Sequence, residues 1–417
     1  MLRLFVVLRL VMGMLCAEVA AAQDAVPLVQ MLREVRAQSP SLVAARARIT
    51  AAKRAWDASG RPADPMLSVE LDRVGGMAQE DGGPMLMYMI EQPIPTPGTL
   101  GMEERVATKG RERAEADLVT LQRDLDVATA RAYVMLWRAQ GEIVIVETQR
   151  RLLEEINAVA LARMQSGADT HHDIIQTQVA GLALQNDLTR MAAERDGALA
   201  MLNALRNRPE SKPFAASEPV PSADTEQSIE GLEREALLGR AELRSMSAMA
   251  GEERAMAELM RREGWPMFSV GAFYNHELEM MDSVGFVIRG TLPIFGASRQ
   301  SARAAVSEAR ALAFEAEREA MGLMIRGEVR SVSATYRAAT ERVSLLRDVT
   351  VPRAEEALAQ AQSSYRTGMM PFASVIQDQR MLVDMRMELI GAKAARFETF
   401  VALMRSLGRD LSTVVAP

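Results

Sequence analysis

The stretch MQSGADTHHDIIQTQ at 164–178 aligns without gaps on YRTGMMPFASVIQDQ at 365–379. Gly167 falls over Gly368, and Gln176 and Gln178 fall over Gln377 and Gln379. Working outward, PMLSV at 65–69 reappears as PMFSV at 266–270, and QPIP at 92–95 as LPIF at 292–295. The offset stays within 200–201 residues across these matches. A period this long is one whole architectural unit used twice, not a short solenoid repeat. A first repeat over 23–207 and a second over 228–417 follow, joined by the Pro/Ser/Glu-rich stretch 208–227.

Each repeat reads as helix, two strands, long helix, helix. The first helix runs over roughly 28–60, and its copy over roughly 228–262. Alternating segments follow at 66–74 and 84–92, and again at 267–275 and 283–292. The long helices are expected over 99–165 and 296–366, and the return helices over 169–206 and 371–408. Leu118, Leu121, Leu125, Ala128, Ala132, Met135 and Ala139 step by three and four residues. Ile325, Val329, Val332, Tyr336, Ala339, Val343 and Leu346 do the same. Sustained 3.5 spacing predicts left-handed coiled-coil packing. At 1.5 Å per residue each long helix spans roughly 100 Å, about two short helices end to end. The first and return helices of a repeat are therefore expected in line along the long one. A cylinder of this length suits a tube or fibre.

The strands have the length that crosses a bilayer as a tilted β-strand. Leu67, Val69 and Leu71 alternate with Ser68, Glu70 and Asp72. Leu86, Tyr88 and Ile90 alternate with Met85, Met87 and Met89. The second repeat sets Phe268, Val270, Ala272 and Tyr274 against Ser269, Gly271, Phe273 and Asn275, and Phe286 and Ile288 against Gly285, Val287, Arg289 and Thr291. This is the apolar-out, mixed-in pattern of a membrane barrel. Four strands cannot close one, so the chain must oligomerise; two copies give eight strands and three give twelve. The bland reading is a pair of soluble hairpins on a helical bundle.

Residues 1–22 read as a secretory signal, with Arg3, the apolar runs LFVVL and LVMGML, and a small-x-small site at Ala20 and Ala22. Leu15 before Cys16 argues against a lipidated cysteine. Cleavage removes the one cysteine, so no disulfide framework is available. The net charge of −6 excludes a basic nucleic-acid surface. No apolar run of transmembrane-helix length follows the signal. With three histidines, no phosphate loop and no His-Glu-x-x-His, the chain offers no catalytic constellation and implies no cofactor.

With the repeat, the hairpins and the turn motifs in place, the chain resembles the TolC family of outer-membrane efflux proteins. The resemblance rests on SPSL at 39–42, QPIPTPG at 92–98, and YRTG at 365–368 followed by SVIQDQ. The QPIP-to-helix junction is most similar to the branch serving heavy-metal pumps. The resemblance implies a mainly α protein with a β-barrel portion. It implies a homotrimer in outer-membrane lipid, with a 12-stranded barrel on a long α-helical barrel that extends into the periplasm. It also implies a periplasmic adaptor and an inner-membrane pump as partners. The well-studied member of the family carries carboxylates at positions matching Ser374 and Gln377, and an arginine that helps lock its tip matches Met370; only Asp173 keeps a matching acid here, as a gate candidate.

Gly167 and Gly368 sit where a long helix must stop and turn back, and glycine tolerates the left-handed conformation of a helix stop. Asp169 or Thr170 is suited to cap the next helix, and Pro371 to open the first turn of its copy. The resemblance makes Gly167, Asp169, Tyr365, Arg366 and Gly368 the tip that meets the adaptor; the bland reading is a helix hairpin. His171 and His172 are adjacent on a helix, point about 100° apart and make a poor pair of metal ligands. His276 has no partner at ligand spacing and is expected in an external loop. Met85, Met87 and Met89 carry thioethers that favour soft cations, though methionine also serves as adaptable filler. Glu70, Asp72 and Glu91 would line the pore mouth, opposed by Arg289. Two other functions fit the same sequence: a duct for a protein-secretion exporter, and an exported coiled-coil scaffold without a pore.

Overall fold

The computed structural model describes residues 25–72, 85–165, 171–208, 214–221, 227–277, 281–367 and 369–415. The signal segment, Cys16, Gly167, Asp169, Thr170 and Gly368 lie outside the described residues, as do the side chains of His171, His172 and Asp173. The first repeat contains β1 (Ala25–Val26), α1 (Leu28–Gln38), α2 (Pro40–Ala58), β2 (Met66–Asp72), β3 (Met85–Ile94), α3 (Thr99–Gln165) and α4 (His171–Leu205). After β4 (Ala215–Ala216) come α5 (Ile229–Gly239), α6 (Ala241–Glu263), β5 (Phe268–Glu277), β6 (Ser283–Gly290) and α7 (Gly296–Leu345). A π turn at Leu346–Thr350 leads into α8 (Val351–Arg366), α9 (Phe372–Leu407) and α10 (Leu411–Val414).

Three helices expected to be continuous are broken. Ser39 ends α1 in an extended conformation, ψ 121°. Pro40 follows, and the residue before proline is pushed out of the helical region. At the repeat-related position Arg240 takes the same conformation, φ −71° and ψ 118°, with no proline after it. Gly239 ends the helix there, and contacts hold the break: Arg240 reaches Glu328 at 2.5 Å and the Arg405 carbonyl at 3.3 Å. In the second long helix, Pro352 cannot donate a backbone hydrogen bond and its ring crowds the carbonyl four residues back. The chain accommodates it with the π turn, in which Val351 donates to the Leu346 carbonyl. Arg151 occupies the matching place in α3, which runs unbroken for 67 residues.

The chain divides into two compact units, each drawing on both repeats. One comprises the described residues of Met1–Val43, Thr120–Arg240 and Met324–Pro417. Its core holds Met31, Leu32, Tyr133, Leu136, Phe397, Phe400, Leu403 and Met404, all essentially inaccessible. The predicted stripe on α3 is widened here: Ala132 and Ala139 are buried as expected, and neighbouring residues join them. Met135 is exposed and Leu125 half-buried, whereas Tyr133 and Leu136 are covered. The cause is the joining segment. The Tyr133 hydroxyl donates to the Val26 carbonyl at 2.6 Å and accepts from the Ser217 amide at 2.8 Å. Gln140 holds the Phe214 carbonyl and the Ala216 amide, both at 3.0 Å. β1 and β4, paired in parallel, are thus clamped onto α3 beside the predicted stripe.

Within the same unit Arg36 bridges Asp126 and Asp410, each at 2.5 Å. Burial works to raise the Asp410 carboxyl, but hydrogen bonds from Arg36 and Ser412 outweigh it and hold it below the usual carboxylate range. The repeat shows in a second pairing. Arg208 meets Glu34 at 3.2 Å, and Arg409 meets Glu235 at 2.6 Å. The returning helices also end alike, on Asn207 with φ 53° and Gly408 with φ 72°. Gly408 packs against the break after α5: a Cβ there would meet the Gly239 carbonyl carbon at 2.7 Å and its oxygen at 2.8 Å.

The other unit comprises Ala44–Val119 and Ala241–Leu323 in their described residues. Small residues on α6, among them Ala248, Ala255 and Ala257, are buried and let helices approach closely. Ser245 donates to Asp117 at 2.6 Å and Arg113 pairs with Glu252 at 2.9 Å. This unit also carries the four-stranded sheet, whose order is β2-β3-β5-β6 with every neighbour antiparallel.

Gly408→Ala is expected to cost more than the about 1–2 kcal/mol of left-handed strain alone, because the new methyl also meets the Gly239 backbone. Asn207→Gly, at the repeat-related position, should change stability by less than about 0.5 kcal/mol. Thermal midpoints of the purified variants by circular dichroism check this; equal midpoints would refute it.

Candidate pore-forming sheet and helical tip

Residues facing each other across a ladder share a face, so the register fixes both faces of the sheet. Met66, Ser68, Glu70 and Asp72 lie opposite Glu91, Met89, Met87 and Met85. Asn275, Phe273 and Gly271 continue that face on β5, and Ser283, Gly285 and Val287 on β6. The other face carries Leu67, Val69 and Leu71, then Leu86, Tyr88 and Ile90, then Val270 and Tyr274, then Val284, Phe286 and Ile288. That apolar face is open. Leu67 is 72% exposed, Phe286 87% and Ile288 77%. Tyr88 and Tyr274 stack on it with ring centroids 6.3 Å apart. Successive exposed apolar residues on one sheet face are costly in water and suited to lipid.

The mixed face holds one organised polar cluster. Glu91 is 7% exposed. It accepts a 2.7 Å bond from Arg289 and another from the Ser269 hydroxyl. Sequence reading set Glu91 and Arg289 in opposition; the register across three strands makes them partners. Glu70 and Asp72 are exposed on β2, so the predicted carboxylates share the face but not one cluster. His276 is a correction: it lies in β5, not in a loop, and its Nδ1 contacts Asp282 at 2.8 Å. The strand runs further than alternation suggests because β3 pairs with it as far as Glu277. Among the described residues no group of three or more His, Cys, Asp or Glu side chains could hold a metal ion.

The junction from β3 into α3 shows why QPIPTPG is written as it is. The Gln92 side chain donates to the Ala63 carbonyl at 2.8 Å, and Thr99 Oγ1 to the Thr96 carbonyl at 2.7 Å. Gly98 has φ +83°, and the Arg262 guanidinium, donating to the Pro97 carbonyl, fills the space a Cβ would need. Glycine answers both demands.

At the opposite end of the second long helix, the turn is built around a small core. Tyr365 packs with Ile156, Leu358, Val375 and Leu382 and is 4% exposed. Arg366 is exposed. Thr367 Oγ1 donates to the Ser364 carbonyl at 3.0 Å, and the Met369 amide to the same carbonyl at 2.9 Å. Pro371 stands at the N-cap of α9 with ψ 152°, one place before the first turn expected for it. Of the predicted tip residues, Arg366 therefore offers a surface and Tyr365 anchors the turn. Pairing of Gln379 with Gln149 at 3.4 Å, buried between α9 and α3, was not anticipated. The only trace in the sequence was the alignment of Gln178 on Gln379.

Residues 232–409 match the family profile described as "Outer membrane efflux protein". No curated protein matches the sequence. Solved structures match nearly the whole chain. The outer-membrane channel OprN is 20% identical at a TM-score of 0.76, over 92% of this chain and 90% of OprN. The outer membrane protein VceC from Vibrio cholerae is 19% identical at 0.76, over 92% of this chain and 96% of VceC. CusC, a transmembrane channel former, is 16% identical at 0.78, over 92% of both. At these identities the likeness shows the fold: the chain is folded like these outer-membrane channel subunits. No described helix is long and apolar enough to cross a membrane.

Glu91→Ala and Arg289→Ala should each lower the thermal midpoint, and the double variant should lose less than their sum. The expected coupling is about 1 kcal/mol, because Arg289 is more than half exposed. Strict additivity in a double-mutant cycle would show that the pair contributes nothing.

Proposed function

We propose that this chain is one subunit of a passive exit duct in the outer membrane, the terminal part of a tripartite efflux system. Three copies close twelve strands into one barrel, and their helices form a periplasmic tunnel. The observation that carries this reading is the sheet itself. It has four strands, free edges at β2 and β6, and an open face of Leu67, Val69, Phe286 and Ile288. Lipid does not tolerate free strand edges, so closure with further copies of the sheet is the way to satisfy them. The efflux-protein profile over 232–409 and the channel fold support the same conclusion.

Solute enters at the helical tips and leaves through the barrel. The chain supplies no chemistry; an inner-membrane pump supplies the energy and a periplasmic adaptor joins the two. Arg366 and the residues around the 167 and 368 turns are the docking surface, and Asp173 contributes to a gate. Glu70 and Asp72 on the mixed face make the mouth favourable to cations, with Glu91 engaged by Arg289. The finer reading, a cargo of heavy-metal cations, draws on the QPIP junction. Growth of a deletion strain across silver, copper, zinc and common drugs tests it. Sensitivity to drugs alone would remove the metal reading.

A cysteine replacing Met281, 92% exposed near the β5–β6 turn, should react with a membrane-impermeant maleimide on intact cells. A cysteine replacing Thr367 should react only after the outer membrane is permeabilised. Labelling of the Thr367 position in intact cells would reverse the orientation and sink the duct.

Phe286→Arg puts a charge on the open apolar face, at a cost of roughly 2–4 kcal/mol if that face meets the middle of the bilayer. Ser68→Arg puts the same charge on the mixed face. The first variant should be depleted from outer-membrane fractions as assembled oligomer and the second retained. Equal retention would mean that the apolar face does not meet lipid.

A further inference from the structure

Met85, Met87 and Met89 stand on the mixed face of β3, and the register sets each opposite an oxygen-bearing side chain of β2. Asp72 faces Met85, Glu70 faces Met87, and Ser68 faces Met89. Opposed Cβ atoms are about 4.5–5.5 Å apart, and successive residues of one face lie about 7 Å apart along the strand. Methionine has three rotatable side-chain bonds. Two neighbouring sulfurs, or one sulfur and the facing oxygen, therefore reach one small ion without moving the backbone.

One observation separates this row from methionine used as filler, although Met85 is buried and Met87 and Met89 are half-buried. The repeat supplies it. On the same face the β5–β6 hairpin carries Gly271, Phe273 and Asn275, then Gly285, Val287 and Arg289. Two copies of one hairpin thus share the architecture, and only one carries thioethers. The fold of the sheet does not require them.

A thioether is a neutral, soft donor that selects Cu(I) and Ag(I) over hard divalent ions. A monovalent soft cation held by sulfur is neutralised by one facing carboxylate, Glu70 or Asp72. Thioethers also hold metal less firmly than thiolates, and conduction needs sites that an ion can leave. We propose that Met85, Met87 and Met89, with Glu70 and Asp72 facing them, form a transit site for soft monovalent cations of the Cu(I) and Ag(I) class. Its place in a pore rests on the duct reading above; the site itself lies within one chain.

The test uses the full chain purified in detergent and Ag(I) as the probe, with bound metal measured after equilibrium dialysis. The triple variant Met85→Leu, Met87→Leu, Met89→Leu keeps apolar volume and removes only sulfur. It should lose at least one silver ion per chain, while Met135→Leu, Met201→Leu, Met324→Leu, at exposed helical positions, should lose none of that site. If the first triple variant does not assemble, Glu70→Gln with Asp72→Asn serves instead, and a several-fold weaker silver affinity is expected. Unchanged stoichiometry in the triple variant, or unchanged affinity in the double one, overturns the site. Planar-bilayer conductance of the wild type is measured in parallel. Silver loss without any conductance keeps the site and removes the duct; conductance without silver loss does the reverse.

Discussion

Backbone hydrogen bonding at the edges of the sheet sets the terms for the rest of this molecule. Among the described residues, β3 and β5 are paired on both sides, while β2 and β6 each present one unpaired side. A soluble protein would blunt such edges with charge, proline or a covering helix. Here the neighbouring face is apolar and open, with Leu67, Val284 and Phe286 all more than 70% exposed. Both features are liabilities in water and requirements in a barrel that closes between copies. The hairpins pair across the repeat, β3 with β5, so the chain carries one continuous four-stranded sheet rather than two loose ribbons.

The duplication governs where the backbone turns, and the two copies reach the same turns by different means. Ser39 and Arg240 break their helices with nearly the same dihedrals. A proline enforces the first, and ion pairing together with the Gly239–Gly408 packing holds the second. Asn207 and Gly408 both adopt left-handed conformations at the ends of the returning helices. The Glu34–Arg208 and Glu235–Arg409 pairs repeat as well. The centre of that unit does not repeat. Arg36, which binds Asp126 and Asp410, corresponds to Leu237, so a half-buried ionic cluster in one copy has no counterpart in the other. Symmetry is kept at the caps, where only one backbone solution works, and lost in the core, where many packings do.

The helical tip shows how a coiled coil absorbs an irregular residue. The π turn at Leu346–Thr350 places one extra residue in the helix ahead of Pro352, and the apolar stripe then resumes at Val351, Ala354, Leu358 and Ala361. Tyr365 closes that stripe against Val375 of the returning helix. A buried Gln149–Gln379 pair crosses the same packing. Polar pairs inside coiled coils cost stability and specify register. Long helices slide past one another easily, and a turn at their end needs a fixed register to be presented in one place.

Much of this was written in local sequence. The repeat, the order of the four longer strands, and the ends of α3 follow from periodicity, glycine and proline. These signals act within a few residues through sterics and backbone dihedrals. The two faces of the sheet were legible for the same reason, since strand alternation is a local rule that the register then reproduces in Met87 beside Glu70 and in Val69 beside Tyr88. Tertiary structure decided the rest. The Arg240 break has only Gly239 as a local signal, and Glu328 and the Arg405 carbonyl, far away in the chain, hold it through one guanidinium. The covering of Tyr133 beside the α3 stripe required a short parallel pair, Ala25–Val26 with Ala215–Ala216, to dock there. The partnership of Glu91 with Arg289 joins residues from separate repeats. Periodicity reports which way a side chain points from its own backbone, and it is blind to which distant segment arrives to meet it.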